Sequence, residues 1–64
     1  QKMAVNRLSL DKLRAHPYLN FYQAKAIIEY RKKWGEIKSL SQLSLFEEFT
    51  EKALNRLSHY FTFD

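Results

Sequence analysis

At 64 residues, 45% of them apolar and 16% aromatic, the chain can build one small core but not a catalytic cleft with walls of its own. It has no cysteine, which excludes a disulfide framework or a cysteine-based zinc site, and apolar runs of at most three residues exclude a transmembrane helix or signal peptide within this piece. Eleven Lys and Arg against seven Asp and Glu give a net charge of +4 and a pI near 9.6, a balance that suits a polyanionic partner.

In chain order, Gln1 to Arg7 reads as an extended segment with Met3 and Val5 as anchors. Ser9 has the character of a helix cap, with Leu10 and Leu13 on one face behind it and Asp11 in the first turn, where a carboxylate complements the dipole. Pro17 ends this helix, because the residue before proline is pushed out of the helical region. Asn20-Phe21-Tyr22-Gln23 has the form of a capping box and opens a longer helix whose apolar face is Ala24, Ile27 and Ile28. Arg31-Lys32-Lys33 fall in its last turn, and Gly35 supplies a left-handed cap. A second box, Ser39-Leu40-Ser41-Gln42, starts a short helix bearing Leu40 and Leu43. Thr50 caps the last helix, where Phe49 staples onto Leu54, and Leu57, Tyr60 and Phe61 continue the buried stripe. Thr62-Phe63-Asp64 is a short tail whose Phe63 either folds back or frays. No stretch shows the alternation of a half-buried strand.

The same unit occurs twice. Ser9-Leu10-x-x-Leu13 returns 30 residues later as Ser39-Leu40-x-x-Leu43, and Leu19-Asn20, Ala24, Ile27 and Tyr30 return as Phe49-Thr50, Leu54, Leu57 and Tyr60. Each copy reads as a short helix, a tight turn and a longer helix, so the fold class is all-α: four main helices starting near Ser9, Asn20, Ser39 and Thr50, arranged as a pseudo-symmetric pair of hairpins. Leu13, Leu19, Ala24, Ile27, Ile28, Leu43, Phe49, Leu54 and Leu57 are the expected shared core. Residues 1–64 read as a single domain, and the start at Gln1 and abrupt end at Asp64 read as a piece of a longer chain.

The run Asn6-x-x-Ser9-x-x-x-Leu13-x-x-His16-Pro17-Tyr18-Leu19-Asn20, followed by Ala24-x-Ala26-Ile27-Ile28-x-Tyr30-Arg31 and Gly35, resembles the helix-hairpin-helix domain of bacterial ComEA-type competence proteins. Ile37-x-Ser39-x-x-x-Leu43 and Leu54-x-x-Leu57-x-x-Tyr60 carry the resemblance over nearly the whole chain. It implies a compact pseudo-twofold double hairpin (SAM-like, HhH2) that binds double-stranded DNA weakly and without sequence preference, through backbone phosphates. The departure lies in the turns. Family hairpins carry Pro-Gly-hydrophobic-Gly, whereas this chain has Pro17-Tyr18-Leu19-Asn20 and Glu47-Glu48-Phe49-Thr50, with no glycine in either. Tyr18 and Glu48 add bulk, Glu48 adds the wrong charge, and Asn20 keeps the first turn's shape by tolerating a left-handed conformation.

The expected DNA-binding residues are therefore those of the first hairpin: Tyr18, Leu19, Asn20, Phe21 and Tyr22, with Arg14 and Lys25 adding charge. No acid lies between Lys12 and Ile28, while Glu47, Glu48 and Glu51 crowd the second turn and compete with any phosphate. The duller reading is that Leu19 and Asn20 only connect and cap. Arg31-Lys32-Lys33 reads either as a phosphate-facing patch or, since it lies at the opposite end of its helix from the hairpin, as a dipole-matched, solvated helix end, and His16 reads as a partly buried, hydrogen-bonded histidine. Glu47-Glu48 reads as dipole-compatible acids, not a catalytic pair. Tyr18, Phe21, Tyr22 and Trp34 either stack on bases or pack in the core or against a neighbouring domain. No catalytic set, metal site, cofactor or membrane contact is expected, and compartment is left open. Beside DNA binding stands a second class: a structural or interaction module that docks on sister helix-hairpin-helix domains of the same chain.

Overall fold

The computed structural model describes residues 2–63. Gln1 of the expected N-terminal segment and Asp64 of the expected tail lie outside them. The chain runs β1 (Met3–Ala4), α1 (Leu10–Arg14), α2 (Phe21–Trp34), a 3-10 helix (Leu40–Leu45), α3 (Glu51–Leu57) and β2 (Phe61–Thr62). Among these residues no helix is long and apolar enough to cross a membrane.

Each helix starts where a side chain can satisfy an orphan amide. Ser9 Oγ accepts from Lys12 N at 3.3 Å, and Thr50 Oγ1 from Ala53 N at 3.1 Å. Asn20 Oδ1 accepts from Gln23 N at 2.8 Å while Gln23 Oε1 accepts from Asn20 N at 3.0 Å, completing a reciprocal box. Before the 3-10 helix, Gln42 Oε1 reaches back to Ser39 N at 3.0 Å.

The 30-residue repeat recurs in the hydrogen bonds. His16 N donates to Leu13 O at 3.2 Å as Phe46 N does to Leu43 O at 3.1 Å. Leu19 N and Phe49 N donate to His16 O and Phe46 O, both at 3.1 Å. Ala24 N donates to Asn20 O at 3.0 Å, and Leu54 N to Thr50 O at 2.9 Å. Both connections therefore use one local design.

That design needs no glycine. Among the described residues no side-chain-bearing residue has positive φ. Asn20 is extended, at φ −98° and ψ 176°, because it serves as the cap, so the expectation that it rescues the turn by adopting a left-handed conformation is corrected. Among the described residues Gly35 alone has positive φ, but at φ 88° and ψ −149° it lies in a region reserved for glycine and not in the left-handed helical well expected of a cap.

One core joins the two copies. Leu13, Leu19, Ala24, Ile27, Leu43, Phe49 and Leu57 are buried as the helical stripe predicts, while Ile28 and Leu54 sit half-buried at its margin. Ile37, in the connector between copies, is fully buried and was not expected. The Asn6 amide clamps its backbone, with Nδ2 donating to Ile37 O at 2.8 Å and Oδ1 accepting from Ile37 N at 2.6 Å. The absence of strands is also corrected. Strands β1 and β2 pair in parallel, Met3 opposite Phe61 and Ala4 opposite Thr62, and two residues per strand are too few to show alternation in a sequence. This pairing buries Met3, Val5 and Phe61, and Phe63 folds back, half-buried, onto the same core.

Candidate nucleic-acid interface

The first turn is held from within by His16. Its carbonyl takes the Leu19 amide, and its Nδ1 accepts from Tyr18 N at 3.1 Å. Its ring packs 5.8 Å from Tyr18 and 5.1 Å, edge-on, from Tyr60. Burial lowers the imidazole pKa from its ordinary 6.5, and the Tyr18 contact acts in the same direction because it needs the neutral nitrogen's lone pair.

These bonds sort the expected residues. Leu19 is a core residue, 5% exposed, with its amide spent inside the turn, and both the Asn20 amide and its side-chain oxygen are used by the box with Gln23. Neither has a backbone amide free for a ligand, because the turn and the cap consume them first. The Tyr18 amide is spent on His16. The Phe21 and Tyr22 amides are the two of the first turn of α2 that find no partner among the described residues. Arg14 lies across the Phe21 ring, its guanidinium carbon 5.7 Å from the centroid, which brings charge from α1 to the start of α2.

Two features of the site come from far along the chain. Arg56 of α3 covers the Tyr18 ring at 5.0 Å and, with Asn20, Gln23 and Ala53, lines a cleft of about 270 Å³ at the first turn. The second is Glu48. Gln23, only 7% exposed, donates from Nε2 to Glu48 O at 2.9 Å, tying the second turn to the start of α2. An acid absent from the local sequence is thereby brought alongside, and Lys25 lines a groove shared with Glu29 and Glu48. No local signal marks either residue, since both belong to the other copy.

The basic run at the end of α2 divides. Arg31 Nη1 donates to Leu8 O at 2.6 Å and acts as a strut, which corrects its reading as part of a solvated end. Lys32 is exposed, and the Lys33 ammonium lies 5.7 Å from the Trp34 ring. Trp34 and Tyr22 are exposed, not core. Among the described residues no cluster of three or more His, Asp or Glu side chains could hold a metal ion.

Capped helices joined by short hairpins, with positive side chains gathered at one turn, define a small, mostly helical domain of the hairpin type. Residues 1–62 match the family described as helix-hairpin-helix motif, and the chain belongs to that family. Such motifs are in general nucleic-acid binding. No curated protein and no solved structure gives a significant match.

Proposed function

We propose that the domain binds double-stranded DNA without sequence preference, through backbone phosphates at its first hairpin, in the manner of ComEA-type competence domains. On this reading the two hairpins form a pseudo-twofold SAM-like pair, and the protein is a binding module and not an enzyme. The observation that carries it is the set of open amides at Phe21 and Tyr22 with a guanidinium at each side of the turn, Arg14 against Phe21 and Arg56 against Tyr18. The second turn is the structural partner. Glu47, Glu48 and Glu51 surround it, and the Glu48 carbonyl is taken by Gln23.

A structural or interaction module among sister domains is the second reading, favoured by Leu45, which stands 83% exposed at the end of the 3-10 helix. An amide-resolved titration with a short duplex at low salt separates the two. DNA binding predicts shifts at Tyr18 to Lys25 and at Arg56, small ones from Glu47 to Lys52, and affinities for unrelated duplexes that fall in parallel as salt rises. No shift anywhere, or a marked preference for one duplex sequence, rejects it.

A further inference from the structure

We propose that the groove between α2 and the second turn takes an unpaired nucleobase, so that the domain holds single-stranded nucleic acid beside its duplex site. The proposal rests on nucleic acid being the partner and adds a second, chemically different contact. The groove measures about 300 Å³. Tyr22, Ala26, Lys33 and Trp34 of α2 form one side, and Phe46 and Glu48 face them.

Its aromatic rings are built to be used from outside. Tyr22 is 67% and Trp34 63% exposed, so neither ring is spent on the chain's own core. Trp34 is nevertheless braced. Its ring lies 5.1 Å from Tyr30, which packs at 6.3 Å on Phe46 and whose hydroxyl accepts from Gln42 Nε2 at 2.6 Å. A ring fixed from behind and open in front loses little freedom when a base stacks on it. Ala26 keeps the floor between Tyr22 and Trp34 low.

The charges fit a base with its flanking phosphates better than bare duplex backbone. Lys25 and Lys33 line the same groove and supply cations for one or two phosphates. Glu29 and Glu48 are acceptors only, suited to the exocyclic amine of a base edge and unfavourable to a phosphate. Tyr22, which lines the groove, also supplies one of the two open amides at the start of α2, so the groove adjoins the proposed duplex site. From Tyr22 to Trp34 the helix rises about 18 Å, enough for a strand leaving the duplex to lie along it.

Trp34 is the only tryptophan and reports directly on stacking. The intact chain is titrated with a deoxycytidine octamer and, separately, with a blunt duplex. The octamer is expected to quench Trp34 fluorescence with a shallow salt dependence, a log–log slope of at most about 1.4 for two phosphates. The duplex is expected to bind without that quench. With a labelled octamer read by anisotropy, Trp34→Leu is expected to weaken binding about fivefold to a hundredfold, and Tyr22→Ala, which keeps its amide, to do likewise with Trp34 still reporting. Trp34→Leu leaves duplex affinity unchanged. An octamer that leaves the fluorescence unaltered at saturation, or variants that bind it as well as wild type, overturns the proposal. So does a blue shift that grows with protein concentration without DNA, which assigns the groove to protein docking. Octamer quenching with no duplex binding keeps the groove and rejects the phosphate reading of the first turn.

Discussion

Replacing Gln23 tests how much one side chain contributes to coupling the two turns across the shared core. Gln23 accepts from Asn20 N at 3.0 Å and donates to Glu48 O at 2.9 Å from a position only 7% exposed. Gln23→Ala removes both bonds, each worth about 0.5–1.5 kcal/mol net, together with one buried methylene worth about 0.8 kcal/mol, so the expected cost is about 2–4 kcal/mol. A chain of this length has about 3–10 kcal/mol in total, so the loss is a large share, and the midpoint of thermal unfolding should fall by 8 °C or more, at about 4–8 °C per kcal/mol. Gln23→Met keeps most of the volume and loses only the hydrogen bonds, for about 1–3 kcal/mol. Urea unfolding of both variants, followed by circular dichroism, gives the two numbers. A cost below about 0.5 kcal/mol for both would refute the inference that this side chain couples the turns.

Ile27→Ala, in the centre of the shared core, should cost about 2–5 kcal/mol by the same denaturation assay, and a loss under about 1 kcal/mol would remove Ile27 from the core. In duplex binding measured across a salt series, Arg56→Ala should reduce the slope by about 1, the signature of one lost phosphate contact. Lys52→Glu should leave affinity nearly unchanged while Lys25→Glu lowers it, and equal responses would reject the asymmetry between the turns. His16 has a folded pKa below its ordinary 6.5, so the unfolded chain takes up the proton first as pH falls. The stability contributed by neutral His16 is full above pH 6.5 and is lost progressively below it, down to the folded value. Thermal unfolding at about pH 7.5 and about pH 5.5 should show a larger drop for wild type than for His16→Gln; equal drops would show that His16 is not the group responsible.

The caps were legible because Ser9, Asn20 and Thr50 act on amides three residues away and Gln42 reaches back to the Ser39 amide, and a local interaction leaves a local signature. The stripe through Leu13, Ile27, Leu43 and Leu57 was legible for the same reason, as periodicity. Ile37 was not, because its burial is fixed by Asn6, a residue 31 positions away in a connector with no period of its own. Of the proposed site, the open amides of Phe21 and Tyr22 follow from the local cap signal, whereas the placement of Arg56 and Glu48 beside them does not. Their positions follow from how α3 and the second turn dock on the first, which no spacing along one copy encodes. Counting acids along the sequence made the first turn look free of them. In space, Glu48 stands beside Lys25 in one groove.

The parallel pairing of β1 with β2 has a mechanical consequence. The chain leaves β1 toward Lys2 and β2 toward Phe63, at opposite ends of the pair, so tension applied through the two ends pulls the strands along their own axes in opposite senses. Met3 N to Tyr60 O, Val5 N to Thr62 O and Thr62 Oγ1 to Met3 O then stretch together instead of parting one at a time. With a ligand gripped at the helical turns and a load on the ends, this small clasp would bear the force in shear, and Met3, Val5 and Phe61 would leave the core only once all its bonds had yielded.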